Sequence, residues 1–471
     1  MGFQNSDYAV GGVAPYGIVI GDFNGDGKSD LAVANVCAQS GGENFCNGGV
    51  PGSVSILLGN GDGTFQPQAS YQTGEYSTYV AVGDFNGDAN QDLAVANGQD
   101  GTVGILLGNG DGTFQPQVIY HASMWVTAIA VGDLNGDGKL DLAVANFNEG
   151  TIGIFLGNGD GIFQNQLEIP IADRTTGIVV GDFNRDGKLD IAVGSTLVDG
   201  TGGTISVVLG NGDGTFQSPI EYPVQDEPES IIAADFNRDG NLDLAITNTC
   251  GLGGFLCQLP GSVSVLLGNG DGTYQAQQVY ETEFEPLGLA AADFNGDGKL
   301  DLAAADFSTS TVSLFLGKGD GTFRTQQVIE TEIRATPTGL VTGAFDQQGA
   351  GSADLVVTDL SNYGGQSVTL MLNQAATHVR LKSAPNPSQR GQVVTFTASV
   401  RTAVRGAGTP TGTVTFRRGS ARLGSVPLVK GVAQFGDSKF RPGSHEVTAT
   451  YDGDQNFNRH TSAPLIQVVK P

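Results

Sequence analysis

An apolar run closed by Asp-x-Asn-x-Asp-Gly returns along most of this chain, as in VGDLNGDGKLDLAVAN from Val131. Its first Asp falls at Asp22, Asp84, Asp133, Asp182, Asp235 and Asp293, with gaps of 62, 49, 49, 53 and 58 residues. A second phrase, GNGDGTF, follows in each unit, at Asn60–Phe65, Asn109–Phe114, Asn158–Phe163, Asn211–Phe216, Asn269–Tyr274 and Gly317–Phe323. A seventh, degraded unit, GAFDQQGAGSADLVVTD, begins at Gly343, has Ala344 in place of the first Asp and lacks the second phrase. Self-similarity at such a period means one supersecondary unit packed on copies of itself.

Within one unit the texture is strand and turn. The third unit reads TAIAVGDL, an acidic loop, DLAVAN, the turn FNEG, TIGIFLG, the turn NGDG, and IFQNQLEIPI. These are four short β runs with no 3.6-residue apolar spacing. With 72 Gly and 39% apolar residues, a packed, turn-rich β protein is expected rather than a disordered chain. Four strands in about 50 residues describe a propeller blade; solenoid repeats are usually shorter. The seventh unit supplies only three strands, whereas the N-terminal FQNSDYAVGG matches the fourth-strand text FQPQVIYHAS of Phe114–Ser123. Residues 3–10 are therefore predicted to complete the last blade, closing a ring that leaves no open sheet edge. The expected fold class is all-β: a seven-bladed propeller of four-stranded blades over residues 1–374, then a separate β-sandwich over 377–471.

The acidic phrase places oxygen donors at positions 1, 3, 5 and 9, with the carbonyl of position 7 free to join them. Such a density of hard oxygens suits Ca²⁺, and Gly at position 6 permits the turn that gathers them. Six loops look competent: Asp22, Asn24, Asp26, Lys28 and Asp30; Asp84, Asn86, Asp88, Asn90 and Asp92; Asp133, Asn135, Asp137, Lys139 and Asp141. The other three are Asp182, Asn184, Asp186, Lys188 and Asp190; Asp235, Asn237, Asp239, Asn241 and Asp243; Asp293, Asn295, Asp297, Lys299 and Asp301. The Lys and Asn at position 7 enter through their carbonyls. An EF-hand loop begins similarly but closes on Glu at position 12 between helices, so this loop is of another kind. Ala89 stands where the second loop wants Gly, which predicts a weaker site; the seventh repeat is expected to hold no ion.

The text AVGDFNGDGKxDLAVAN together with LLGNGDGTFQ resembles the FG-GAP/VCBS repeat family, whose best-known members are the integrin α-chain propellers. The resemblance covers residues 1–374. It implies a seven-bladed propeller with calcium in the loops between first and second strands, on one face of the disc, and ligand binding on the opposite face.

Strand alternation sorts the faces. The acidic loop and the GNGDG turn follow the first and third strands and share a face that barely varies. The other face carries long, unlike connections at Val36–Gly52, Ser195–Gly203 and Thr249–Gly261. Eight residues before each loop start, the fourth-to-first connection gives Ala14, Tyr76, Trp125, Arg174, Glu227, Glu285 and Thr336. Tyr76, Trp125, Arg174, Glu227 and Glu285 are the candidate ligand-binding residues, since aromatics stack on sugars and carboxylates hold hydroxyls. Drift of variable loops would also produce such a ring.

Two cysteine pairs, Cys37 with Cys46 and Cys250 with Cys257, lie in two of these connections. Disulfides closing short loops suit an oxidising compartment; zinc is the alternative but needs more ligands, and the acidic part holds only His121. The N-terminus has neither a basic region nor an apolar core, so it reads as no signal peptide, and no 18-residue apolar run exists to span a membrane. Residues 377–471 hold 13 Lys and Arg against 4 Asp and Glu, a net of +9, which leaves 10 against 45, a net of −35, for the rest. The pieces PTGTVTF and HEVTATYDGDQNF in the basic part resemble bacterial Ig-like domains, usually spacers; its charge would also suit an anionic cell envelope.

With −26 overall, nucleic acid is not an expected partner. The leading expectation is a secreted or surface calcium-binding propeller that binds a glycan or extracellular protein, in adhesion or lectin-like work. The alternatives are a carbohydrate-active enzyme or its accessory domain, and a purely structural surface module. No catalytic constellation is evident; a carboxylate pair such as Glu227 and Glu285 is what a glycosidase would use.

Overall fold

DLAVAN and its counterparts are apolar at nearly every position, and in the computed structural model of the chain they are buried along their length, as at Asp92–Asn97 and Asp141–Asn146. A strand reads this way when both of its faces are covered. The structure describes residues 2–38, 49–171, 174–196, 202–249, 259–331, 336–346, 353–360, 367–374, 377–402, 409–454, 457 and 459–471.

Seven antiparallel four-stranded sheets follow one another, the first six running in chain order from an inner to an outer strand. The inner strands are Val13–Gly21, Ser77–Gly83, Val126–Gly132, Arg174–Gly181, Pro228–Ala234, Pro286–Ala292 and Pro337–Gly343, and each packs beside the next. The last also packs beside the first, so the ring closes. In the seventh blade the outer strand is Gly2–Ala9, antiparallel to Ser367–Gln374 with Gly2 opposite Gln374 and Ala9 opposite Ser367. This lies one residue earlier at each end than the sequence pattern suggests. Outer strands such as Val118–His121 are mostly exposed, which is why their text is the least apolar.

The apolar core lies between blades. Ala32, Val54 and Ile56 of blade one pack with Val80, Leu93 and Val95 of blade two, and Ile18, Leu31 and Val33 pack with Val356, Leu370 and Leu372 of blade seven. No blade has a core of its own. The two repeated phrases clasp every seam except the one into blade seven, which lacks the second phrase. Phe23 of the first acidic loop meets Phe114 of the next blade's GNGDGTF edge to face at 5.6 Å, and the Phe23 carbonyl accepts from Gly112 N at 2.9 Å. The same pairing joins Phe85 to Phe163, Phe183 to Tyr274, Phe236 to Phe323 and Phe345 to Phe65. Blade three substitutes Leu134, packed by Phe216.

Nearer the axis a second belt joins the blades. Every inner strand carries a register shift, between Pro15 and Ile18 in blade one and between Thr175 and Ile178 in blade four. Such a bulge re-aims the side chains beside it. There Thr127 Oγ1 donates to the Thr176 carbonyl at 3.1 Å, Thr176 Oγ1 to the Pro228 carbonyl at 2.5 Å and Thr338 Oγ1 to the Pro15 carbonyl at 3.1 Å. Glycine follows where backbones touch: a Cβ on Gly177 would lie 2.4 Å from the Glu229 carbonyl, and one on Gly339 2.3 Å from that of Tyr16.

Beyond the ring, Thr377–Ala384, Val394–Thr402 and Val432–Asp437 form one sheet. Thr413–Arg418, Ala421–Pro427, Gly443–Tyr451 and Leu465–Lys470 build the main part of a second. Phe396, Phe416, Ala449 and Tyr451 fill the core between them, giving a β-sandwich.

Two predictions follow from this packing. Removing residues 2–9 strips the outer strand from Ser367–Gln374 and bares its edge, so the melting temperature should fall by about 10 °C or more; an unchanged melt would contradict the closure. The second concerns Asp306, which ends a buried second strand where other blades have Asn35, Asn97, Asn146 and Asn248. Burial pushes its carboxyl up to about 7, opposed by hydroxyl donors from Ser313 and Thr311. Because the folded value is raised, its contribution to stability is present below about pH 4 and lost as pH rises through about 7. Asp306→Asn should therefore raise stability at pH 8 by roughly 1–3 kcal/mol and change it little at pH 4. Denaturant titrations at both pH values check this, and an equal effect at both would overturn it.

Candidate functional site

Each acidic loop leaves an inner strand and turns back into the buried second strand. In the first, the Asp22 carboxylate accepts from Asp26 N at 3.1 Å and Gly27 N at 2.9 Å, Asn24 Oδ1 accepts from Asp26 N at 3.0 Å, and Asp26 Oδ1 accepts from Lys28 N at 3.0 Å. These short bonds orient three side-chain oxygen groups on one small loop without neutralising their charge. The pattern recurs from Asp84, Asp133, Asp182, Asp235 and Asp293. Lys28, Lys139, Lys188 and Lys299 pair their ammonium groups with the position-five carboxylates at 2.8, 3.7, 3.6 and 3.6 Å. In all six loops position 6 is left-handed, including Ala89 at φ 67°, as the sequence pattern requires. Position 4 is left-handed too, which puts Arg185 and Arg238 at φ 61° and 64°.

Position nine behaves differently. Asp30 is fully buried, and its two oxygens accept from Phe23 N at 2.9 Å and Gly59 N at 2.7 Å. It staples the acidic loop to the turn of the second phrase. The staple is repeated by Asp92, Asp141, Asp190, Asp243 and Asp301. It persists in the degraded blade, where Asp354 accepts from Phe345 N and Asn373 N at 3.1 and 2.8 Å. Burial raises these carboxyls, to about 6 in Asp243, Asp301 and Asp354, against the lowering effect of the amides. Among the described residues no three His, Cys, Asp or Glu side chains gather into a metal cluster. The donor set left to a cation is Asp-Asn-Asp with the position-7 carbonyl, plus the second lone pairs of the position-nine oxygens. Oxygen-only donors on so short a loop fit a hard cation.

On the opposite face the chain enters the inner strands. Ala14, Tyr76, Trp125, Glu227 and Glu285 stand there at φ 56°, 62°, 61°, 48° and 55°. Left-handed backbone at a non-glycine residue costs on the order of 1 kcal/mol or more, and five repeats of it are a built feature. Four of these carbonyls cap the adjoining hairpin: those of Tyr76, Trp125, Glu227 and Glu285 accept from Gly98, Phe147, Thr249 and Phe307 N at 2.9–3.0 Å. Tyr76 and Trp125 meet edge to face at 5.3 Å, with Trp125 37% exposed. The guanidinium of Arg174 lies 5.5 Å over the Phe147 ring. Glu227 accepts from Thr249 Oγ1 at 3.0 Å, and Glu285 accepts from Ser308 Oγ. Tyr76 and Trp125 thus touch, while the two glutamates are each held within their own blade.

Two residues further in, the blades present Tyr16, Thr78, Thr127, Thr176, Glu229, Leu287 and Thr338 around the axis. Glu229 has no place in the sequence-level expectation, although its departure from the run of Thr at this register is a readable signal. It lines an axial cavity of about 280 Å³. As for the cysteines, Cys37 ends the strand Asp30–Cys37 in a buried position beside Val13 and Val36. Cys46, Cys250 and Cys257 lie outside the described residues.

Comparison with known proteins matches the model of the FG-GAP-like repeat at residues 22–95, 84–144, 133–193, 196–246, 255–304 and 293–357. The bacterial Ig-like domain (group 3) matches residues 381–470. No curated protein matches the chain. Among solved structures, the periplasmic gluconolactonase of Pseudomonas aeruginosa is 15% identical, with 70% of this chain and 97% of that one covered and a TM-score of 0.46. A candidate 6-phosphogluconolactonase from Bacteroides uniformis is 16% identical, covering 66% and 85%, with a TM-score of 0.46. The extracellular domain of a candidate one-component system protein from B. thetaiotaomicron is 10% identical, covering 99% of this chain and 58% of that one, with a TM-score of 0.46. At such identities the activities of those proteins do not carry over to this chain. Six matched repeats, spanning well over half of its length, make this chain a member of the FG-GAP-like repeat family, with a bacterial Ig-like domain following the repeats.

Proposed function

We propose that the ring is a calcium-stabilised, extracellular or cell-surface binding module that takes a glycan or protein ligand on the face opposite its acidic loops. The observation that carries this reading is the rim, where five entries share one left-handed backbone yet bear Ala14, Tyr76, Trp125, Glu227 and Glu285. Constant backbone with varied side chains is what recognition on a rigid scaffold uses. The Tyr76–Trp125 pair offers an aromatic edge for a sugar ring or an apolar side chain, and Glu227, Glu285 and Arg174 offer polar contacts around it. The calcium reading rests on the Asp-Asn-Asp oxygen sets of six loops. Among the described residues no helix is long and apolar enough to cross a membrane. The paired cysteines and a calcium requirement both suit an oxidising compartment outside the cytoplasm. The basic sandwich offers a contact for an anionic cell envelope.

Calcium is tested on the full chain by calorimetry and thermal melts at pH 7.5. About six ions should bind, and excess EDTA should lower the melting temperature markedly, since saturating one site at 100 times its Kd adds about 2.7 kcal/mol. Ala89→Gly should tighten the second site by roughly 1 kcal/mol. A melt indifferent to EDTA would rule out stabilising calcium. For the ligand, the calcium-loaded protein on a glycan array and against extracellular proteins should give hits that Trp125→Ala weakens by tenfold or more, about 1.4 kcal/mol. Hits unaffected by Trp125→Ala and Glu285→Ala together would move the site off the rim.

A further inference from the structure

The axial cavity below the rim contains a group that neither the calcium reading nor the rim reading employs. Half-buried Glu229 shares this cavity with Ile18, Ile178, Ile231 and Leu289 and with a ring of threonines, and among the described residues its carboxylate has no hydrogen-bond or ion-pair partner. Of the hydroxyls nearest in register, those of Thr127, Thr176 and Thr338 donate to carbonyls of adjoining blades. Deeper along the axis the wall is apolar: Val19, Ile232, Leu289 and Leu340 continue into a second cavity of about 460 Å³ on the acidic-loop side.

A half-buried carboxylate with no partner, beside apolar surface, gains from a cation that brings its own apolar body. Burial, followed by the charge of Glu227, pushes the Glu229 carboxyl up to about 7. The Tyr16 phenol, raised first by its own burial and next by Glu229, stands close enough to feel that charge. A divalent metal would want six or more oxygens, and one carboxylate does not supply them. A monocation with a carbon skeleton meets both halves of the site. An apolar cavity of roughly 150 Å³ accepts a benzene ring, so about 280 Å³ leaves room for an aryl ring and a short arm.

We propose that the axial throat is a binding site for a small organic ammonium ion with an apolar body, its nitrogen paired with Glu229 and its carbon skeleton against Ile231, Leu289 and Leu340. This site lies beneath the rim and does not depend on the rim's ligand.

The test is calorimetric titration of the full, calcium-loaded chain at pH 8 with phenethylammonium, with 2-phenylethanol and 3-phenylpropanoate as neutral and anionic comparators. Saturable one-to-one binding of the amine is expected, with the alcohol and the acid weaker by more than about tenfold. Glu229→Gln, which keeps the side chain's shape, should reduce amine binding by a similar factor while a thermal melt shows it folded. Trp125→Ala should leave amine binding within about twofold, which separates the throat from the rim. Absence of amine binding, equal binding of the alcohol, or full binding by a folded Glu229→Gln variant would each overturn the proposal. Should that variant fail to fold, the comparison of the three ligands on the unaltered chain decides.

Discussion

The contact on which the ring depends is the edge-to-face pair between the loop phenylalanine of one blade and the turn aromatic of the next. Because the apolar core lies in the seams, a single blade is a sheet with two uncovered faces. The pair, worth roughly 0.5–1.5 kcal/mol beyond its burial, sits where the amide of the second phrase meets the carbonyl of the first. Loop order and seam order are therefore one quantity. Anything that orders an acidic loop also fixes the carbonyl that its neighbour's turn uses, so a cation bound on the surface would act on the core through one residue.

Much of this was legible in the residues. The period of the phrase, the missing fourth strand and the N-terminal text that matches it lead to seven closed blades. The even burial of DLAVAN follows from its unbroken apolar run. What could not be read was which side of a residue does which work. Position nine reads as a fourth metal donor in every repeat, and each Asp30 oxygen also accepts one amide, from Phe23 or Gly59, which leaves its second lone pair for a cation. Gly59 lies 29 residues away in sequence, so spacing along the chain carries no trace of it. Glu229 was missed for a related reason: its significance depends on what six other blades place at the same height on the axis.

The degraded seventh unit separates two devices that the other six overlay. It has lost the acid at position 1, but Asp354 still binds two amides and Phe345 still meets Phe65. The staple, kept in all seven blades, is thus the minimum a blade needs, whereas the cation donors are an addition to it. The missing second phrase is replaced by Asn373, whose side-chain amide donates to the Phe294 carbonyl at 2.7 Å where other blades use a glycine N–H.

The left-handed entry to the inner strands has a consequence for how such a ring can vary. Side chains branched at Cβ are the least tolerant of positive φ, and none of Ala14, Tyr76, Trp125, Glu227 and Glu285 is branched there. Valine, isoleucine and threonine are thereby discouraged from the very residues that ring the opening. Unbranched and aromatic side chains remain, and each points from a backbone that is already held by its own hairpin. The ring behaves as a set of sockets with a restricted but chemically broad alphabet, in which one residue can be exchanged without re-forming its neighbours.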